Sequence, residues 1–202
     1  MKEKEIKEIR DTLNELEVGN EDKAFFITLK FPDPSMDLYE ADKILKAHLD
    51  VIRKAFPDAY ILSTMAFSED GGVGVHFHNL IVNRDESEVI KDGQRYVPDE
   101  DANGLRFMRF QENEMITALE QKVRTDWRKR VQKISRYKNQ SLRDVVQVQK
   151  AELASGCIRD YITRIDEKYI PHEWRKSRIK WFKVRGRANF WPTTSVERFL
   201  VA

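Results

Sequence analysis

Val75-His76-Phe77-His78-Asn79-Leu80-Ile81-Val82 is the stretch on which the reading of this chain turns. It is rich in β-branched and aromatic residues and contains neither glycine nor proline. It therefore reads as a β-strand, part of a run from Val73 to Val82. Successive side chains of a strand point to opposite faces. His76 and His78 thus share one face, and Val75 and Phe77 share the other. Two imidazoles at that spacing can chelate one divalent ion. A single His-x-His on a strand is a weak signal, and its ordinary alternative is chance. A cupin-type metal site would need a glutamate four or five residues on, and Asn79 to Asn83 contain none.

Just upstream, Glu69-Asp70-Gly71-Gly72 is a hairpin signal. It follows a second apolar run, Ala59 to Ser68, which reads as the partner strand. If the turn centres on the two glycines, Glu69 lies opposite Gly74 and on the face of His76 and His78. Gly74 would then leave room for its carboxylate. Register decides this, because a one-residue slip moves a side chain to the other face. Two nitrogens and one carboxylate leave coordination positions open for water and a phosphate oxygen. Such a set suits Mg or Mn better than a closed structural zinc site.

Further upstream, Ala24-Phe25-Phe26-Ile27-Thr28-Leu29-Lys30-Phe31 reads as a central strand with Phe25, Ile27, Leu29 and Phe31 on one face. Pro32 and Pro34 end it. Residues 37–55 carry apolar residues at helical spacing, with Asp37 placed to cap. Residues 3–17 read as an amphipathic N-terminal helix. Downstream, residues 83–104 are polar and read as a surface loop, followed by a strand from Leu105 to Phe110. Residues 112–136 have a helical pattern that turns basic, Val145 to Val148 is a short β-branched run, and residues 152–164 read as a helix containing Tyr161. Residues 171–202 form a basic, aromatic extension. Helices and strands mix without strict βαβ alternation, so the expected class is α+β.

The chain has 202 residues, 41% of them hydrophobic and 35% charged, enough for one sizeable domain. Its net charge of +2 conceals an asymmetry. Residues 1–121 hold 15 Lys/Arg against 26 Asp/Glu, and residues 122–191 hold 20 against 7. A basic segment beside an acidic one points to a polyanion partner on one face. Lys129, Arg130, Lys133, Arg178, Lys180, Arg185 and Arg187 are the candidate phosphate contacts, with Trp181 placed to stack on unpaired bases. The plainer alternative is a solvated helix face and tryptophans that pack the C-terminal segment onto the core. No apolar run is long enough to span a bilayer, which excludes a membrane partner of that kind. The single cysteine, Cys157, cannot form an internal disulfide, and a cytoplasmic location is expected. No Gly-x-x-x-x-Gly-Lys-Ser/Thr loop is present, so a helicase motor is not expected in this chain.

Three features then fall in order: the strand Phe25-Phe26-Ile27-Thr28-Leu29-Lys30-Phe31-Pro32, the strand Val75-His76-Phe77-His78-Asn79-Leu80-Ile81, and the segment Tyr161-Ile162-Thr163-Arg164. Together they resemble the HUH endonucleases, specifically the rolling-circle replication initiators of plasmids and phages, over roughly residues 24–190. The resemblance implies one domain with a central antiparallel sheet of about five strands flanked by helices, with the histidine pair on a middle strand. It implies a reaction in which Tyr161 cuts one DNA strand and keeps its 5′ phosphate. Glu69 falls where the family places its third metal ligand. Arg164 stands where the family commonly has lysine; arginine keeps the charge but is a poor proton donor. Ile165 stands where some members carry a second tyrosine, so a one-tyrosine enzyme is expected. The implied partners are single-stranded DNA at an origin, with a hairpin or flanking duplex, and a host helicase and polymerase. A transposase or relaxase of the same chemistry, a DNA-binding protein that has lost catalysis, and an unrelated metal-dependent hydrolase are the competing readings.

Overall fold

Alternation along three adjacent strands builds the molecule. The computed structural model describes residues 24–67, 74–83, 117–142 and 144–151 with their side chains, and Lys7, Arg10, Asp11, Leu13 and Ile162 singly. It describes the backbone of residues 88–90, 94–100, 106–112, 115–116 and 182–185. In chain order the elements are β1 (Ala24–Leu29), α1 (Leu38–Ala55), β2 (Tyr60–Phe67), β3 (Val75–Val82), β4 (Glu88–Ile90), β5 (Gln94–Glu100), β6 (Arg106–Glu112), β7 (Met115–Thr117), α2 (Ala118–Gln132), β8 (Val146–Lys150) and β9 (Phe182–Arg185). The class is α+β, with an antiparallel sheet in the order β8-β1-β3-β2-β9. β4 pairs with β7 and β5 with β6 in two small ribbons. Lys7, Arg10, Asp11 and Leu13 are helical, within the N-terminal helix read from the sequence.

All eight residues of β3 are buried, which makes it a strand covered on both faces. The face carrying Val75, Phe77 and Ile81 also carries Phe25, Ile27 and Leu29 of β1, Ile61 and Met65 of β2, and Val146 and Val148 of β8. Against it lie Leu38, Leu45, Leu49 and Ile52 of α1 and Leu119, Val123, Trp127 and Val131 of α2. Trp127 is the meeting point. Its ring packs against Phe31, Phe77 and His48 at centroid distances of 5.3, 6.0 and 5.4 Å, and its Nε1 donates to Lys30 O at 2.9 Å. An indole that fills volume and satisfies its one donor stabilises a core on both counts.

The helices start where their caps allow. Asp37 accepts from Glu40 N at 2.9 Å to open α1. Thr117 and Glu120 form a reciprocal capping box at the head of α2. That box starts α2 at Ala118 and leaves Met115–Thr117 extended, so the helical pattern read from residue 112 begins later than its periodicity suggests. The polar stretch 83–104, read as a loop, contains β4 and β5. Both are strands by virtue of cross-strand partners rather than of their own apolar pattern. The C-terminal extension contributes β9, whose backbone pairs Ile61 with Arg185 through Thr64 with Phe182. Among the described residues no helix is long and apolar enough to cross a membrane.

α1 and α2 are tied by a buried polar link. His48 Nδ1 lies 2.8 Å from Asp126 Oδ2, and Arg130 Nε donates to the same oxygen at 2.6 Å. Burial holds the His48 imidazole below its ordinary pKa, against the pull of Asp126. The unfolded chain therefore takes up a proton near pH 6.5 that the folded chain refuses. Stability from this group is present above that pH and is lost as pH falls below it, by up to about 1.4 kcal/mol per pH unit. Chemical denaturation of wild type and His48→Gln should show a stability gap that narrows between pH 7.5 and 5.5; a gap independent of pH would contradict the buried neutral imidazole.

Candidate metal and phosphate site

The second face of the sheet carries the histidines. On β3 it presents His76, His78 and Leu80. Pairing brings Thr28 of β1 and Thr64 of β2 directly beside His78, and Ala66 of β2 beside His76. Phe26 stacks on the His78 ring at 5.3 Å with an interplanar angle of 21°. The two imidazoles stand edge to face with centroids 4.8 Å apart. The strand spacing thus does what the sequence suggested: it places both rings side by side on one surface.

Each ring is oriented through its Nδ1. His76 Nδ1 lies 3.1 Å from Gly74 O, to which it donates as N–H. His78 Nδ1 lies 3.2 Å from Thr28 Oγ1. Outer hydrogen bonds of this kind fix ring orientation and leave Nε2 as the ligating nitrogen. Both rings are held below the ordinary imidazole pKa. His76 is lowered by burial, opposed by the Gly74 carbonyl and reinforced by Lys30. His78 is pushed down to about 3 by burial, then by His76 and Lys30. A neutral imidazole is the form that binds a metal.

The pair fits the nitrogen half of a divalent-ion site. Among the described residues no group of three or more His, Cys, Asp or Glu forms a metal cluster. Glu69, the expected third ligand, lies outside the described residues. The pairing around it differs from the one assumed in assigning that role. Ala66 faces His76 and Phe67 faces Val75, one residue away from a register that sets Glu69 opposite Gly74. Gly74 also has a different task from leaving space for a carboxylate. Its φ is +63°, and a Cβ there would stand 2.5 Å from Pro34 Cα. Glycine is required because the Pro34 backbone occupies that side and because the left-handed conformation is costly for other residues.

Tyr161, Arg164, Arg178, Lys180, Trp181 and Arg187 lie outside the described residues. The backbone of Arg185 is in β9. Lys129 and Lys133 are exposed, but α2 packs on the face of the sheet opposite the histidines. Arg130 is engaged with Asp126 and serves the link between helices. Lys129 and Lys133 therefore lie on the side of the sheet away from the histidine pair. Three other tyrosines can be placed with their side chains, and Tyr39 is exposed on α1. Tyr137 sits in the helix-side core, with its phenol pushed up to about 12 by burial and Asp33, away from the ionised form a nucleophile needs. Tyr60 is on the histidine face but pairs with Val82, four residues along β3 from His78.

Thr64 and Lys30 are site residues that sequence reading passed over. Thr64 Oγ1 is buried beside His78 with no hydrogen-bond partner among the described residues. Lys30 follows the Leu29–Phe77 pair by one residue, level with His76, and its charge is felt by both imidazoles. The signal for both was period two on strands flanking the histidines, but it needs the strand order before it can be used.

Comparison of the chain with protein-family models, with curated proteins and with solved structures gave no match.

Leaving a buried hydroxyl unbonded costs free energy, whereas losing a bonded one removes about 1 kcal/mol. Thr64→Val should leave thermal stability equal or higher, and Thr28→Val should lower it by about 1 kcal/mol; the reverse order in calorimetry would refute these hydrogen-bond assignments. Gly74→Ala should cost about 1–3 kcal/mol through backbone strain and weaken Mn binding by withdrawing the carbonyl that orients His76. Unchanged melting and unchanged Mn titration would rule that out.

Proposed function

We propose that this chain is a metal-dependent, site-specific endonuclease of the HUH type that nicks and rejoins single-stranded DNA through Tyr161, in the manner of a rolling-circle replication initiator. The observation that carries the reading is the histidine pair: His76 and His78 stand side by side on β3, between β1 and β2, each with Nδ1 engaged. An antiparallel sheet in which the histidine strand β3 lies between β1 and β2 supports this reading. His76 and His78 would hold Mg or Mn, with Glu69 as third ligand in this reading. If the alternation of β2 ran on past Phe67, Glu69 would fall with the core-facing residues, so its role requires a break in that alternation.

A divalent ion held there would polarise the scissile phosphate and offset its developing charge. Tyrosine, with a pKa of about 10 in water, must lose its proton as it attacks. The Tyr161 Oη–P bond forms, the P–O3′ bond breaks, and the 3′ oxygen departs as a hydroxyl. The phosphotyrosine link retains the bond energy, so a later 3′ hydroxyl can reverse the step and rejoin the strand. Arg164, three residues after Tyr161 in the sequence, would steady the same phosphate. A host helicase and polymerase would supply the strand separation and synthesis for which the sequence has no motor motif.

Labelled single-stranded DNA pools incubated with the protein and Mn should yield a covalent adduct on a denaturing gel. EDTA, His76→Ala and Tyr161→Phe should each abolish it. Cleavage that persists in Tyr161→Phe without an adduct would replace this reading with that of a metal-dependent hydrolase.

A further inference from the structure

Lys30 stands where a charge is hardest to explain by folding alone. Leu29 and Phe31 on either side of it are both in the helix-facing core. Alternation therefore turns Lys30 to the opposite face, the one that carries His76 and His78. Its backbone is pinned at both polar groups: N donates to Val145 O at 2.8 Å, and O accepts from Trp127 Nε1 at 2.9 Å. The side chain is half-buried, and burial disfavours its charged form. Asp144 acts on it through space, but among the described residues the ammonium makes no ion pair. Its charge bears on both imidazoles instead.

A half-buried ammonium carries a desolvation cost that two neutral imidazoles do little to offset. A divalent ion on the imidazole nitrogens would add repulsion to that cost. An anion between that ion and the ammonium would turn the repulsion into two attractions, and a cation already half removed from water binds an anion more strongly than a solvated one. We propose that Lys30 is the anchor for the DNA phosphate presented to His76 and His78, its ammonium holding a non-bridging oxygen from the β1 side. This rests on the nicking reading for the identity of the anion. It adds a positioning residue that the charge-rich helices do not provide, since Lys129 and Lys133 lie on the other side of the sheet.

The test uses the full chain with Lys30→Met and Lys30→Arg. Binding to fluorescent (dT)30 is measured in EDTA across a salt series, which removes turnover from the readout. Lys30→Met should weaken binding about tenfold at low salt. Its slope of log affinity against log salt should be shallower by about 0.7, the value for one phosphate contact on a single strand. Its melting temperature should be equal to or above wild type, because a desolvated charge has been removed. Lys30→Arg should restore the slope. An unchanged slope in Lys30→Met overturns the proposal, as does a loss of binding that merely follows a lowered melting temperature. The two levels separate cleanly. Wild-type adduct formation together with an unchanged Lys30→Met slope sinks the anchor and leaves the nuclease. A lost slope without any wild-type adduct leaves Lys30 as a phosphate contact and sinks the nuclease.

Discussion

The two-sided burial of β3 is the constraint from which the rest of the structure follows. A strand covered on both faces needs partners on both edges and a layer on each side. β1 and β2 supply the edges, and the helix layer centred on Trp127 supplies one cover. Because side chains alternate, the packing that fixes Val75, Phe77 and Ile81 against the helices also fixes His76 and His78 on the reverse. A slip of one residue in β3 would put imidazoles against Trp127 and Phe77 among polar groups. The hydrophobic core thus sets the registry of the candidate site, and the site's geometry follows from core packing rather than from any loop.

Electrostatics at the pair depend on the same burial. Removing the imidazoles from water keeps them neutral and ready to act as ligands, and Lys30 reinforces that state. The carbonyl of Gly74 and the hydroxyl of Thr28 then choose which nitrogen each ring presents. Gly74 can do this only because the backbone turns left-handed there and passes close to Pro34. One glycine therefore links the turn that follows β1 to the orientation of a ring on β3.

The basic character of the second half of the chain divides between fold and surface. Arg124 donates to Val146 O from within the core, and Arg130 neutralises Asp126 between the helices. Both use arginine's directional donors to satisfy buried acceptors. Lys129 and Lys133 remain exposed on the helix layer. A composition that points to a polyanion thus also reflects internal hydrogen bonding, and net charge along the sequence overstates the free positive surface.

Much of this was legible in the sequence, for a physical reason. Period two on β1 to β3, and period 3.6 on α1, are local consequences of backbone geometry, so apolar spacing alone marked those elements and set His76 beside His78. Asp37 announced the start of α1 because capping is a contact between near neighbours. The strands within 83–104 and β9 were not legible: their stability comes from partners far away in sequence, and their own pattern is polar or basic. The β2–β3 pairing was legible from the glycine turn between the two runs, but the rest of the strand order was hidden. Only the tertiary structure set β1 on the other flank of β3, brought Lys30 and Thr64 to the histidines, fixed the β2–β3 register, and placed Lys129 and Lys133 behind the sheet. Those relations are set by pairing and packing between distant segments, which no local periodicity encodes.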